Sequence, residues 1–270
     1  MNKQNVAAVE LPVAGAHRRN AVPLLAGTGL AWITGMAWRA RASTLMGAGT
    51  CVDANSVFSD GFEATSAASQ FAGTGSCVLV PSETQGPYPL LSVLSDPEIL
   101  RSDITEGLPG VPLTLRLQLV NVNAGCAPLS NVAVYLWHCD KDGVYSGYSQ
   151  PGGINTTGEK FFRGMQSTDC DGVVTFQTVY PGWYIGRITH IHFQIYLEDG
   201  SLTATSQLAF PQDITQTVYA SSLYTHGQNT SVTSFAQDNV FSDGTSQQML
   251  TLTGSTAAGY VATITVGVSA

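Results

Sequence analysis

The sequence predicts an all-β domain, an antiparallel β-sandwich whose long loops carry the chemistry. Three observations predict it. Short apolar or alternating runs recur through the second two-thirds of the 270-residue chain. Asp-Gly pairs at 142–143, 171–172, 199–200 and 243–244 punctuate them, the pair that tight turns favour. The body of the chain shows no long segment with a 3.6-residue apolar period. Many short strands separated by turns bury their apolar faces by packing sheet on sheet.

Composition sets the outer bounds. Apolar residues make up 44% and charged residues 11%, so the chain can bury a core and is not a disordered polymer. The length allows one or two domains. The net charge is −8 with no Lys/Arg block in the body, which argues against nucleic acid as a partner because phosphate neutralisation needs clustered cations.

Residues 1–42 have the layout of an export signal. His17-Arg18-Arg19-Asn20 precede an uncharged run from Ala21 to Trp38, and Ala40-Arg41-Ala42 follow at cleavage spacing. The paired arginines and the weakly apolar core are twin-arginine-like, although Pro23 and Leu24 fall where such signals carry a stronger consensus. The alternative is an uncleaved anchor, since the run could just span a bilayer. Its Pro, Thr and Gly content favours cleavage and a mature form off the membrane. Either outcome places the body outside the cytoplasm, in the periplasm or beyond.

Residues 43–76 are rich in Ala, Ser, Gly and Thr and are expected to form a linker or arm. Residues 77–270 are the expected sandwich. Val111–Val120 alternates apolar and polar side chains, as a half-buried strand does. Asn131–Cys139 is apolar on both faces, as a central strand between two layers would be. Further strands are expected at 173–179, 188–197, 202–210, 248–252 and 260–268, with a short helix within 214–224. Five cysteines (Cys51, Cys77, Cys126, Cys139, Cys170) suit an oxidising compartment but cannot all pair within one chain. One or two disulfides are expected. None shows C-x-x-C spacing, which argues against a cysteine metal site.

The densest chemistry lies in Tyr180-Pro181-Gly182-Trp183-Tyr184-Ile185-Gly186-Arg187-Ile188-Thr189-His190-Ile191-His192-Phe193. Strand residues two apart share a face, so His190 and His192 present two imidazoles side by side. An H-x-H pair alone is more often structural than metal-binding. Its neighbours change the reading, because Arg187 stands three residues before the first His and Tyr184 six before it, between Gly182 and Gly186. A second stretch, Val134 to Gly147, runs a buried strand into the turn Asp140-Lys141-Asp142-Gly143 and ends on Tyr145. Alone, Tyr145 is equally consistent with a ring packed at a sheet edge. His138 and His226 match no ligand position and are expected to be structural.

Together with Glu83-Thr84-Gln85-Gly86-Pro87-Tyr88, these stretches resemble the intradiol ring-cleavage dioxygenases. The likeness is greatest to the exported branch similar to protocatechuate 3,4-dioxygenase chains, and it runs from Cys77 to the strand near the C-terminus. The resemblance implies ferric iron, Fe(III), held by Tyr145, Tyr184, His190 and His192. It implies Arg187 as the catalytic cation, Gln207 as a pocket residue and Tyr88 as a pocket wall. It also implies an aromatic diol and O2 as partners, a muconate-type diacid as product, and a homo-oligomer as one possible assembly.

The residue types suit that chemistry. A phenol with a pKa near ~10 becomes an anionic ligand only beside a strong Lewis acid, and hard phenolate oxygen favours the ferric state. Two phenolates and two neutral imidazoles leave one positive charge on the metal, so a catechol dianion replacing one phenolate preserves the balance. Two readings from the residues alone remain open. One is a non-catalytic extracellular β-sandwich that binds a carbohydrate or protein partner through exposed Trp183 and Tyr184. The other is a copper or zinc site built on the H-x-H pair alone.

Overall fold

The structure, a computed structural model, describes residues 77–270. The expected export signal and linker lie outside the described residues. The strands are β1 (Pro112–Asn121), β2 (Ala127–Pro128), β3 (Ala133–Trp137), β4 (Ser149–Gln150), β5 (Ile154–Asn155), β6 (Arg163–Ser167), β7 (Val173–Val179), β8 (His190–Tyr196), β9 (Leu202–Ala209), β10 (Thr251–Ser255) and β11 (Gly259–Val268). One sheet runs β10-β11-β1, with β7 and the short β2 pairing the other side of β1. The second runs β6-β3-β8-β9, and β4 and β5 form a small pair in the loop that follows Tyr145.

Alternation in β1 turns Leu113, Leu115, Leu117 and Leu119 to one face, where all are buried. They meet Val134 and Leu136 of β3 and Ile191, Phe193 and Ile195 of β8 in the principal core. Burying each such aliphatic side chain stabilises the fold by about 1.5–3 kcal/mol. β3 is buried at all five positions because both its faces are covered. Tyr135 and Trp137, on its outer face, pack with Val93, Ile99, Tyr145 and Met165 in a second cluster.

β8 sits between β3 and β9, and its register decides where the chemistry goes. With Ile191, Phe193 and Ile195 committed to the core, His190 and His192 must face the outer cluster. Trp137 pairs with His192 across one edge, and Gln207 pairs with His192 across the other. The outer face therefore presents Trp137, His192 and Gln207 in one row.

Two features correct the all-β antiparallel expectation. Gln212–Tyr219 is a true α-helix (α1), beginning directly after Pro211, which has no N–H to leave unpaired. Val218 and Tyr219 anchor it on the core. In addition, β1 and β11 pair in parallel, Leu113 opposite Tyr260 through Asn121 opposite Val268. A parallel pair needs a long crossover, and nearly the whole domain supplies it. The fold is β-dominated with mixed strand directions. The strand expected at 248–252 begins at Thr251, because Gln248 turns inward and its carbonyl accepts from the Ala209 N–H (2.8 Å). Cys77 and Cys126 form a disulfide, Cys170 is disulfide-bonded as well, and Cys139 is a buried free thiol. Among the described residues no helix is long and apolar enough to cross a membrane.

His138, directly after β3, is structural as expected. It is wholly buried; its Nδ1–H donates to the Cys139 carbonyl (2.7 Å) and its Nε2 pairs with the Thr178 hydroxyl (2.6 Å). Burial pushes its pKa down to about 4, against ~6.5 in an unfolded chain. Between those values the unfolded chain binds a proton that the folded chain refuses. Stability is therefore complete above ~6.5 and falls as pH drops toward 4, by up to about 3 kcal/mol from this group. The buried His190 and His192 act in the same direction. Urea midpoints at pH 7 and pH 4.5 should fall less for His138→Gln than for the parent; an equal fall in both would remove His138 as a contributor.

Candidate metal centre

The sequence-predicted ligands converge. The His190 Nδ1–H donates to the Ile188 carbonyl (2.6 Å), which leaves the lone pair on Nε2. Four groups crowd around that nitrogen: His192 Nε2 at 3.0 Å, the Tyr184 hydroxyl at 3.2 Å, the Tyr145 hydroxyl at 3.4 Å and Arg187 Nη1 at 3.4 Å. One lone pair cannot serve four partners. The arrangement is two imidazole nitrogens and two phenol oxygens gathered about a common point, with a guanidinium beside them.

Local structure fixes each member. Tyr145 follows the Asp140 turn, whose carboxylate accepts from the Asp142 and Val144 N–H groups. Gly143 carries φ +86°, and a Cβ there would strike the Trp183 carbonyl at 2.3 Å, so the two tyrosine-bearing loops touch only because that residue is Gly. The backbone of Tyr145 is clamped by Gln150 through its N–H (3.0 Å) and carbonyl (2.6 Å), and Thr156 also donates to that carbonyl (2.7 Å). Tyr184 is half-buried and lies next to Ile185, which is 84% exposed. Trp137 stacks flat on His192 at 5.0 Å.

Electrostatics keep the four in their neutral forms. Burial, then the Arg187 charge, pushes His190 down to about 3, and burial, then His190, holds His192 well below the usual histidine range. Burial and the neighbouring Tyr184 drive the Tyr145 phenol well above its ordinary value. Burial pushes Tyr184 up to about 12 even with Arg187 pulling it back. Two imidazoles held neutral have their lone pairs available. Two phenols that resist ionisation would become anions only beside a strong Lewis acid. The donor set, hard oxygen plus imidazole, fits ferric iron. Among the described residues no group of three or more His, Cys, Asp or Glu side chains gathers; the histidine pair is completed by phenols.

Arg187 is buried and fully engaged. Its Nε donates to Asp238 Oδ2 (2.9 Å) and its Nη2 to Gln207 Oε1 (2.6 Å). Gln207 lies across from His192, and both ends of its amide are committed, since Oε1 accepts from Arg187 and Nε2 donates to the Thr84 carbonyl (2.9 Å). It braces Arg187 against the segment that carries Gly86. The Tyr88 ring packs on Tyr145 at 5.0 Å and on Tyr148 at 5.1 Å. Trp183 is buried, stacked on His226 at 4.1 Å with its Nε1–H donated to the Gly227 carbonyl. That corrects the expectation of an exposed Trp183 and removes the aromatic surface on which the binding-module reading rested.

Sequence reasoning missed two residues. Asp238 lies in a polar loop and gives no pattern signal, yet it is completely buried. Arg163 opens the unpredicted strand β6 and is also completely buried. It donates to the Ser146 hydroxyl (2.9 Å), the Ser146 carbonyl (2.8 Å) and the Tyr88 carbonyl (2.8 Å), which ties the Tyr145 and Tyr88 segments together.

A family model described as Dioxygenase (Dioxygenase_C) matches residues 85–232, more than half of the chain and the stretch that holds all four converging side chains. The chain belongs to the intradiol ring-cleavage dioxygenase family. Among solved structures, the intradiol ring-cleavage dioxygenase from Tetranychus urticae is 27% identical, with a TM-score of 0.64 over 72% of this chain and 95% of that one. A second dioxygenase crystal structure is 27% identical with a TM-score of 0.63 over the same shares. The dioxygenase domain of a dioxygenase–carbohydrate-binding protein fusion from Streptomyces sp. SirexAA-E is 26% identical, with a TM-score of 0.49 over 70% of this chain and 97% of that domain. No curated protein matches.

In this family member the backbone of Gly86 presses on a ligand candidate. Its φ is +69°, and a Cβ would stand 2.8 Å from His192 Cε1. Gly86→Ala should therefore destabilise the fold by roughly 1–3 kcal/mol, through left-handed strain and the forced contact. An unchanged urea midpoint would show that this segment does not seat on His192.

Proposed function

We propose that the protein is a non-haem Fe(III)-dependent intradiol dioxygenase that cleaves a catechol-type ring between its two hydroxyl-bearing carbons with O2, giving a muconate-type diacid. The observation that carries this reading is the gathering of Tyr145, Tyr184, His190 and His192 about one buried point. Those four residues would hold the iron. Bound there, ferric iron would draw electron density from a catecholate and activate the ring toward O2.

The chain's own residues supply the rest. Tyr145 is the fixed tyrosine, immobilised by Gln150 and Thr156. Tyr184 is the one that can yield, being half-buried beside the exposed Ile185. Its oxygen is placed to take a proton from an entering catechol hydroxyl, and its high proton affinity favours keeping it. Arg187 turns its Nη1 edge toward the ligand cluster, where its charge stabilises negative charge developing on the ring. Tyr88, half-buried beside Tyr145, offers aromatic surface suited to a planar ring, while Trp137, sandwiched between Tyr135 and His192, orients the imidazole.

Export to an oxidising compartment belongs to the same reading. The basic-then-uncharged N-terminal pattern supports it, and so does the Cys77–Cys126 disulfide. An enzyme so placed would meet aromatic diols outside the cytoplasm.

Purified protein loaded with ferric iron should be red-brown from tyrosinate-to-iron charge transfer, and it should consume O2 with one or more members of a panel of substituted catechols. Colourless iron-loaded protein would exclude the assignment. Tyr184→Phe should shift the absorption band and weaken iron retention against a chelator by roughly tenfold or more. An unchanged spectrum would remove Tyr184 from the ligand set.

A further inference from the structure

Arg187 has three faces to satisfy, and the structure accounts for each. Gln207 takes Nη2 and Asp238 takes Nε, so only the Nη1 edge points at the ligand cluster. Asp238 does more than accept one bond. Its Oδ2 also accepts from the Ile188 N–H (2.7 Å), and its Oδ1 accepts from the Val240 N–H (2.8 Å) and the Phe241 N–H (3.2 Å). The carboxylate is entirely buried. The Phe241 ring then covers the guanidinium face at 5.8 Å, and Asn229 Nδ2 donates to the Arg187 carbonyl (2.8 Å). Residues 229–241 thus enclose Arg187 from two sides, with Asp238 at the centre of the grip.

We propose that Asp238 is the positioning residue for Arg187: it fixes which edge of the guanidinium faces the reacting ring, and it balances a cation that would otherwise be buried beside a cationic metal centre. The inference rests on the ring-cleavage reading for its catalytic consequence, but the grip itself does not. A buried guanidinium without its carboxylate is costly, and a fork held on two edges cannot swing away from its third contact. Asp238 makes no hydrogen bond to the four clustered side chains; its contacts are Arg187 and the backbone it pins. Two acidic groups feel this cation, Glu83 at longer range and Asp238 in contact. Of them, Asp238 makes the direct ion pair.

The test uses the full iron-loaded chain. Asp238→Asn should keep its iron and its charge-transfer band, because the four ligands are untouched. It should lower kcat by roughly tenfold or more with KM within about twofold, as loss of an interaction made in the transition state requires. In an Arg187→Gln background the same change should have little further effect on kcat, because its target has gone. Losses that multiply in the double variant would overturn the proposal, as would an unchanged kcat in Asp238→Asn. Hydrogen exchange on the same proteins provides a readout independent of turnover. Peptides covering 184–192 and 235–245 should both exchange faster in Asp238→Asn, and 235–245 should loosen in Arg187→Gln. If neither variant changes exchange there, the grip is absent. If Asp238→Asn does not fold, the Arg187→Gln exchange result decides alone. Parent protein with no oxygen uptake but with the predicted exchange changes would reject the ring-cleavage reading and leave the grip standing.

Discussion

The register of β8 is the constraint on which the rest depends. Ile191, Phe193 and Ile195 interlock with the leucines of β1, and that packing leaves the histidines no other face to occupy. A slip by one residue would exchange the two sets, placing imidazoles in the core and isoleucines at the site. The hydrophobic core and the ligand geometry are therefore specified by the same alternation. Burial then does the electrostatic work, keeping both imidazoles neutral and both phenols protonated where the four side chains meet.

That alternation is why so much was legible in the sequence. β1, β3, β7, β8, β9 and β11 carry clear period-two or continuous apolar runs, and each lies within a residue or two of where the pattern puts it. The four converging side chains were legible because two of them share a strand and the others stand on Gly-marked turns beside it. β6 was not, because Arg163-Gly164-Met165-Gln166-Ser167 has no apolar period; its buried positions include a guanidinium and a glycine. Asp238 was invisible for a related reason. A carboxylate in a polar loop is ordinarily solvated, and only the three-dimensional path of residues 229–241 brings it under cover. The parallel pairing of β1 with β11 could not be read either, since strand direction leaves no mark on local alternation.

Among the described residues the buried arginines, Arg163 and Arg187, solve different problems. Arg163 meets only neutral oxygens and an aromatic ring, and it binds together backbone segments that carry the tyrosines. Arg187 is charge-balanced. Burial alone would raise the Asp238 pKa, but the Ile188 N–H and Arg187 more than offset this and hold it below the usual carboxylate range. One guanidinium is a brace inside the frame, and the other is presented to the site in a chosen orientation.

The placement of β11 has a consequence for how the molecule is made. It lies inside its sheet, between β10 and β1, although among the described strands it is the last to be made. When β1 leaves the ribosome, the strand that will flank it in parallel has yet to be synthesised, and β7 is the only long neighbour it can acquire first. Half of the sandwich must wait, with one leucine-lined face incompletely covered, until β11 has been made. Closure of so long a loop is slow and leaves apolar surface exposed meanwhile. Completion of the fold thus waits on β11, and loss of that strand would unseat the centre of a sheet and not merely trim its edge.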